Sequence, residues 1–270
     1  MSFKNYLFEE EKSENTIEKY IRDITFFMTW ICGQEVTKIL ALDYKKQLCE
    51  KYAPASVNAA ISSLNSFFAY MEWHDIRIKA LKIQRQIFSS KDKELTKAEY
   101  ARLLTAAKNK NNERLYYLMQ TICSTGIRVS ELRYITTSAI KSGQAIINCK
   151  GKMRIVILPK ELCKMLKGYI KKNNIKKGSV FVSKNGKPLD RSYIWKMLKF
   201  LCESAGVSKD KVFPHNFRHL FARTYYSLQK DVVRLADILG HSSVNTTRIY
   251  TTETFDVHRR QIQKLGLLRL

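Results

Sequence analysis

The chain has 270 residues, 45% of them hydrophobic, and this length is sufficient for two domains with buried cores. Its 48 Lys and Arg residues outnumber 24 Asp and Glu residues, giving a formal net charge of +24 that predicts a polyanionic partner, with nucleic acid the first candidate. The sequence shows neither an apolar run of membrane-spanning length nor a secretory signal peptide, so we expect a cytoplasmic protein without membrane contact.

The cysteines show no CxxC pair and no histidine at zinc-binding spacing, so we expect reduced core thiols. A P-loop and a carboxylate cluster suited to Mg²⁺ are also missing from the sequence, and no cofactor is predicted. The six cysteines are Cys32, Cys49, Cys123, Cys149, Cys163 and Cys202.

Residues up to about 87 predict helices only. Ser13 is expected to cap a first helix, residues 42–52 form a second, and Pro54 opens a third. Apolar side chains recur at helical spacing on the first and third. These stripes are Ile17, Tyr20, Ile21, Ile24, Met28 and Ile31, then Val57, Ile61, Leu64, Phe68 and Met71.

The opposite face of the third helix is polar but uncharged, so it can approach DNA, although an ordinary solvated face is favoured. It consists of Ser56, Asn58, Ser62, Asn65 and Ser66. Basic residues recur through this region, and as a set they predict contacts with DNA phosphates. The set is Lys19, Arg22, Lys45, Lys46, Arg77, Lys79 and Lys82.

Residues 79–93 are polar, basic and weakly periodic, which predicts a domain boundary. We expect a helical domain over residues 1–87, a linker over 88–95 and a second domain over 96–270. Thr96 and Glu99 have the spacing of a capping box at the start of that second domain.

A further helix over residues 114–124 breaks at Gly126 and is followed by TGIRVSEL. Glu131 lies one helical step beyond Arg128 and can orient it through a charge-assisted hydrogen bond. Taken alone, the two residues would form a surface ion pair that contributes little.

Two runs with β character, residues 145–149 and 154–158, flank a predicted hairpin turn that contains Lys150 and Lys152. Residues 180–182 predict a third short strand. Helices are expected over residues 161–172 and 191–205.

Pro214 precedes a helix from about residue 216, and residues 232–239 form another that ends at Gly240, a good C-terminal cap residue. His241 is therefore held where this helix ends. Ser242 or Ser243 can cap a short helix that carries Tyr250 at its far end.

This region gathers His215, Arg218, His241 and Tyr250. A guanidinium matches phosphate oxygens with a planar fork of donors, and imidazoles can donate to the same oxygens or move protons. Tyrosine is a poor nucleophile at its ordinary pKa near 10 and needs such neighbours to react. The alternative is a packed helical pair with a surface arginine and two structural histidines.

HNFRH followed by LGHSSVNTTRIY resembles the C-terminal signature of the tyrosine site-specific recombinases of the integrase and Xer group. That signature is His-x-x-Arg, then Leu-Gly-His, then a tyrosine nine residues after that histidine. TGIRVSEL resembles the family's first arginine motif, and residues 13–31 resemble, less specifically, its N-terminal core-binding domain. The resemblance spans about residues 13–251.

The resemblance implies a mainly α fold with a small β-sheet: a helical SAM-like core-binding domain and an α+β catalytic domain that together clamp double-stranded DNA. It implies that Tyr250 attacks a phosphodiester and forms a 3′-phosphotyrosyl link, while Arg128 and Arg218 hold the non-bridging oxygens. His215 would handle the proton of the nucleophile, and His241 would support a phosphate oxygen. Neither ATP nor a metal would be needed.

In this family a hairpin lysine protonates the leaving 5′ oxygen. The turn CKGKMR is shorter than the family's commoner turn by about one residue, so Lys150 aligns with this lysine and Lys152 remains its rival.

The resemblance also implies inverted-repeat half-sites and a tetramer on DNA, with a monomer when free. The tail, residues 251–270, would pack on a neighbouring protomer, or alternatively fold back on its own domain. A type IB topoisomerase and a non-catalytic DNA-binding regulator are the other classes; the Leu-Gly-His spacing argues against the first and the complete residue set against the second.

Overall fold

The computed structural model describes residues 2–83, 93–149, 152–183 and 185–250. The chain divides into two compact units, residues 1–86 and 87–270, and each unit has its own apolar core. The predicted mainly helical architecture with a small sheet is confirmed. Within the described ranges, every helix is either too short or too polar to cross a membrane.

The first unit is built from α-helices. They are α1 (Phe3–Glu9), α2 (Glu14–Ile31), α3 (Lys38–Lys51) and α4 (Pro54–Tyr70). Helix α1 was not predicted from the sequence; it starts at the Ser2 cap and buries Phe3 and Leu7 in the core of this unit.

The predicted apolar faces of α2 and α4 are buried or half-buried, except at two methionines that are exposed. Met71 is 38% exposed because α4 has already ended at Tyr70. Met28 is 44% exposed, whereas its neighbour Phe27 is fully buried and continues the stripe from Ile24. Ser13 precedes α2 as predicted, but its hydroxyl pairs with the Thr16 hydroxyl at 2.8 Å instead of making the side-chain capping bond to the helix.

The polar face of α4 binds a segment of its own domain, contrary to the expectation of a solvated face. The Asn58 side chain donates to the Leu81 carbonyl at 2.9 Å and accepts from the Leu81 amide at 2.7 Å. Asn65 makes the same pair of bonds with Ile78, each 2.8 Å long. Both amide side chains therefore satisfy the backbone of the chain that follows α4.

The second unit contains eight described α-helices and one hairpin. The helices are α5 (Lys97–Asn109), α6 (Glu113–Thr125), α7 (Thr137–Ser142), α8 (Lys160–Lys172), α9 (Arg191–Ala205), α10 (Pro214–Gln229), α11 (Val232–Leu239) and α12 (Val244–Thr247). Short 3₁₀ helices cover Val129–Tyr134, Lys209–Lys211 and Arg248–Tyr250. The predicted capping box of Thr96 and Glu99 is confirmed at the start of α5.

Strands β1 (Gln144–Cys149) and β2 (Lys152–Ile157) pair in antiparallel fashion, which confirms the predicted hairpin. Lys152 was predicted to lie in the turn, but it pairs with Cys149 and begins β2, so the second strand starts earlier than predicted. The predicted third strand at residues 180–182 is wrong. That region makes only isolated bridges, one of them from Val182 to Pro188, and a proline lacks the amide that would extend a ladder.

The cysteines only partly follow the prediction of core thiols. Cys163 and Cys202 are buried, whereas Cys32 and Cys49 are exposed. Cys32 is the residue that ends α2 in a left-handed conformation, with φ of 49°, and this terminal position turns it away from the core.

Candidate active site

Arg218 is the centre of the candidate site. It lies on the second turn of α10 and is only 1% exposed. Its Nη1 donates to the Gly126 carbonyl at 2.6 Å, and its Nη2 donates to the Leu239 carbonyl at 2.8 Å. These carbonyls lie at the C-terminal ends of α6 and α11, where the helix dipoles are negative, so they compensate a buried cation. Burial and then the nearby Arg128 lower the pKa of Arg218 to about 10, which leaves it protonated at neutral pH.

His241 contacts the same guanidinium. Its Nε2 lies 2.9 Å from Nη2 of Arg218, and its Nδ1 lies 2.8 Å from the Thr247 hydroxyl. A guanidinium can only donate, so Nε2 accepts, and the ring proton sits on Nδ1 and is donated to Thr247. Burial and then Arg218 and Arg128 lower the pKa of His241 to about 4. The imidazole is therefore neutral at neutral pH.

Arg128 follows the break of α6 at Gly126 and begins the 3₁₀ helix Val129–Tyr134. Its Nη1 donates to Glu131 at 3.1 Å, which confirms the predicted pair, and its Nη2 donates to the Gly240 carbonyl at 3.2 Å. Arg128 is thus tied to the turn that precedes His241.

Glu131 is only 5% exposed, so this pair differs from a solvated surface ion pair. Its carboxylate also accepts from the Arg128 backbone amide and from Arg154. Burial raises the pKa of Glu131, but these hydrogen bonds outweigh burial and the net pKa is lowered. The carboxylate therefore stays ionised between two guanidinium groups.

The predicted nucleophile, Tyr250, is buried beside these groups, with 4% exposure. Its ring packs edge-on against His219 at a centroid distance of 4.8 Å and lies nearly parallel to His241 at 6.1 Å. Tyr250 also acts electrostatically on Arg218, where it raises the pKa. The tyrosine, Arg218 and His241 of one chain thus form a single cluster.

His215 stands at the start of α10 and lines a cavity of about 550 Å³ together with Arg128 and Arg218. Partial burial and then the charges of Arg218, Arg128 and Arg191 lower the pKa of His215. A neutral imidazole next to cationic groups can accept a proton.

Several residues of the site were not predicted by the sequence analysis. Ser130, Arg191 and Trp195 also line the cavity, and no local pattern distinguishes them. His219 could have been found, because it lies four residues after His215 and so shares its helix face. Burial and the charge of His215 lower the pKa of His219 to about 3.

The structure describes one of the two hairpin lysines that were predicted as the general acid. Lys150 lies outside the described residues, and Lys152 begins β2. The tail over residues 251–270 also lies outside them.

The residues predicted to contact phosphates divide into two groups. The Lys19 ammonium contacts Asp23 and donates to the Ala59 carbonyl at 3.1 Å, so it is engaged within its own domain. Lys45 donates to the Lys79 carbonyl at 2.7 Å. The side chains of the remaining five are exposed: Arg22, Lys46, Arg77, Lys79 and Lys82.

Comparison with known proteins matches both units. Residues 93–256 match the family model of the phage integrase family, and residues 1–75 match that of the phage integrase N-terminal SAM-like domain. The chain belongs to the phage integrase family. This phage integrase family member is therefore an enzyme of the tyrosine recombinase class, which cleaves and rejoins DNA strands.

Curated relatives of this integrase family member cover nearly the same length. It is 29% identical over 277 residues to the tyrosine recombinase XerA of Pyrococcus furiosus, covering 98% of this chain and 93% of the relative. It is 31% identical over 270 residues to a tyrosine recombinase of Thermosipho africanus, covering 92% of each.

Solved structures agree in fold. The structure of a XerA recombinase is similar with a TM-score of 0.54 and 28% identity, covering 99% of this chain and 97% of the other. The XerH recombinase bound to a palindromic difH substrate, a post-cleavage complex, gives a TM-score of 0.72 at 22% identity, covering 92% and 78%. The predicted family is confirmed by these matches.

Proposed function

We propose that this integrase family member is a site-specific DNA recombinase that acts through a covalent link between Tyr250 and a 3′ phosphate. The observation that carries the proposal is the packing of Tyr250 against His241 while Arg218 contacts that histidine and Arg128 contacts the turn before it. A nucleophile, two phosphate-binding cations and neutral imidazoles are thereby gathered at one place.

The chemistry is an exchange of esters at phosphorus. The Tyr250 oxygen forms a bond to phosphorus while the bond to the 5′ oxygen breaks, so one phosphodiester replaces another and no ATP is consumed. His215 takes the phenol proton, because its lowered pKa favours the neutral form of the imidazole, which is the form that can accept one. The leaving 5′ oxygen receives a proton from the hairpin lysine, assigned to Lys150 with Lys152 as the alternative.

Arg128 and Arg218 would stabilise the charge that grows on the non-bridging oxygens. In the free protein their guanidinium groups donate to the carbonyls of Gly126, Leu239 and Gly240. Each guanidinium has five N–H donors, so the groups can keep these bonds and still bind a phosphate. The carbonyl bonds fix the two cations before DNA arrives, which is the preorganisation that electrostatic catalysis requires.

His241 would support one phosphate oxygen after a change of partner. Its Nε2 accepts from Arg218 in the free protein, so donation to phosphate needs a proton on Nε2. An approaching phosphate supplies the negative charge that favours the protonated ring.

The proposed partner is double-stranded DNA with inverted-repeat half-sites, on which four copies assemble. The net charge of +24 supports binding of a polyanion. Two solved structures of similar proteins support a DNA site with inverted-repeat half-sites. One is a XerH recombinase bound to a palindromic substrate, and the other is a lambda integrase dimer bound to a core site. Integration, excision and chromosome-dimer resolution are all served by the same strand exchange.

Covalent trapping tests the proposal. A library of duplexes with randomised inverted half-sites, nicked near the centre so that the cleaved strand end is lost, is incubated with wild-type protein and with Tyr250→Phe. The wild type should give a detergent-stable adduct and release a 5′-hydroxyl end, while Tyr250→Phe binds the recovered site without an adduct. An adduct of equal yield from Tyr250→Phe refutes the nucleophile, and binding without any wild-type adduct indicates a regulator.

A second measurement separates recombination from relaxation. The recovered site is placed on two distinguishable duplexes, and the products are analysed for exchanged strands. Exchange between the duplexes supports the recombinase. Relaxation of a supercoiled plasmid without exchange indicates an enzyme of the type IB topoisomerase kind.

A further inference from the structure

Arg154 on strand β2 lies outside both arginine motifs, yet it contacts the supports of two proposed catalytic residues. Its side chain is 14% exposed. Nη1 donates to the Ile238 carbonyl at 2.9 Å, and Nη2 donates to the Glu131 carboxylate. One planar fork thus bridges the 3₁₀ helix that follows Arg128 and the C-terminal end of α11.

The carboxylate that Arg154 contacts also holds Arg128. Oε1 of Glu131 accepts from the Arg128 guanidinium, while Oε2 accepts from the Arg128 amide and from Arg154. Loss of Arg154 would remove one of the two cations that contact the buried Glu131 carboxylate. The carboxylate would then interact differently with the remaining cation, Arg128. The orientation of Arg128 therefore depends on Arg154.

The turn before His241 is in contact with the same side chain. A Cβ atom placed on Gly240 would lie 2.2 Å from Cδ and 2.9 Å from Nε of Arg154, so the arginine stem passes directly over this residue. The Gly240 carbonyl accepts from Arg128, and His241 follows immediately. Arg154 therefore packs on the backbone that sets the position of the histidine.

We infer that Arg154 is a positioning residue that keeps Arg128 and His241 aligned on one phosphate without touching that phosphate itself. The inference rests on the proposed function, because it takes Arg128 and His241 as the groups that meet the reacting phosphate. A displacement of about 1 Å in such groups costs about a hundredfold in rate, so a residue of this kind affects chemistry far more than binding.

The test compares two substrates and three variants in single-turnover cleavage of the trapping duplex. One substrate carries an ordinary scissile phosphate, and the other carries a methylphosphonate, in which a methyl group replaces one non-bridging oxygen and removes the charge. Arg154→Met keeps the length of the stem and removes the donors. Arg154→Lys keeps the charge but cannot reach Glu131 and the Ile238 carbonyl with a planar fork.

Arg102→Met is the matched control. Arg102 also bridges the end of a helix, donating to the Ala205 carbonyl at 2.9 Å and to the Gly206 carbonyl at 3.1 Å. It has the same kind of contact at a place that the proposed chemistry does not use. Its substitution measures the effect of losing such a bridge on folding alone.

We expect Arg154→Met to slow cleavage of the phosphate about a hundredfold, with unchanged DNA affinity, and to slow cleavage of the methylphosphonate less than about tenfold. The deficit shrinks because the neutral substrate lacks the charge that a misaligned Arg128 fails to meet. Arg154→Lys should show the same pattern in weaker form, and it serves as the test if Arg154→Met does not fold. Arg102→Met should cleave both substrates at the wild-type rate.

Equal losses on the two substrates, or an Arg102→Met protein as slow as Arg154→Met, would overturn the positioning role of Arg154. These outcomes differ from failure of the proposed function, in which the wild type itself forms no adduct with either substrate.

Discussion

Replacing Gly240 with alanine tests the contact between Arg154 and the turn that precedes His241. Gly240 ends α11 in the left-handed region with φ of +63°, where any other L residue is disfavoured. The added Cβ would also lie 2.2 Å from Cδ of Arg154, which is far closer than two non-bonded carbon atoms can approach. Either the arginine or the turn must therefore move.

The expected cost has two parts. Placing alanine in the left-handed conformation costs about 1 kcal/mol relative to glycine. Displacing Arg154 from a carboxylate and a carbonyl adds about 2 kcal/mol, since hydrogen bonds that involve charged groups contribute in this range. We expect Gly240→Ala to lower the free energy of unfolding of the second unit by about 3 kcal/mol.

Gly206→Ala provides the control for conformation alone. Gly206 ends α9 with φ of +59°, but nothing lies within 4 Å of the position that its Cβ would take. It should therefore lose only about 1 kcal/mol. Gly240→Ala placed in an Arg154→Ala background should likewise cost only the conformational part, because the obstructing side chain is gone.

Urea unfolding followed by tryptophan fluorescence measures these energies. Trp195 is the single tryptophan of the second unit, so a Trp30→Phe, Trp73→Phe background reports on that unit alone. Single-turnover cleavage on the same proteins should show Gly240→Ala slowed about a hundredfold and Gly206→Ala unchanged. Equal stability losses and equal cleavage rates for the two alanine variants would refute the reasoning.

Four further predictions follow from the site and the charge. Arg128→Ala or Arg218→Ala should reduce cleavage about a thousandfold in single-turnover trapping, because each removes charge stabilisation in a buried site, and a loss below about tenfold would place that arginine outside the site. A bridging 5′-phosphorothiolate, whose sulfur leaves without a proton, should restore cleavage by Lys150→Ala; restoration confined to Lys152→Ala would move the general acid to that residue. DNA affinity should fall steeply with salt in a filter-binding titration, and a flat response would contradict extensive phosphate contact. The pKa values of His219 and His241, about 3 and about 4 in the folded protein, lie below the ordinary 6.5, so their contribution to stability is complete above about pH 6.5 and is lost as the pH falls towards 4. The urea midpoint should decline over this range and decline less in His219→Phe, and identical profiles would contradict the burial of a neutral His219.

Local signals in the sequence predicted the helices and caps that depend on near neighbours. The capping box at Thr96 and the helix that ends at Gly240 each involve side chains within a few residues of one another. The spacing of HNFRH and LGHSSVNTTRIY likewise predicted that His215, Arg218, His241 and Tyr250 belong to one site. Taken alone, these residues also fit a packed helical pair with a surface arginine and two structural histidines, and it is the resemblance to the tyrosine recombinases that favours a catalytic site.

Features that depend on distant partners were not predictable in the same way. The polar side chains of Asn58 and Asn65 are compatible with water, with DNA or with backbone, and only the return of the chain at Ile78 and Leu81 decides among these. Phe27 and Met28 are both apolar, and the packing of α2 determines which of them is buried. Helix α1 has too short an apolar pattern to be distinguished from a disordered start without the core that it covers.

Glu131 shows how the two kinds of information combine at the active site. Its position three residues after Arg128 predicted the ion pair, but an isolated pair of this kind would contribute little at a surface. Arg154, supplied by a strand 23 residues away, gives the carboxylate a second cation and allows it to be buried while ionised. The same arginine stem occupies the space above Gly240, so the glycine of the Leu-Gly-His motif satisfies two requirements, a left-handed helix end and the passage of a side chain. The left-handed helix end can be predicted from the sequence motif alone. The need for space above Gly240 arises only when the hairpin is folded against α11. It makes the positions of Arg128 and His241 depend on Arg154, a residue that belongs to neither motif.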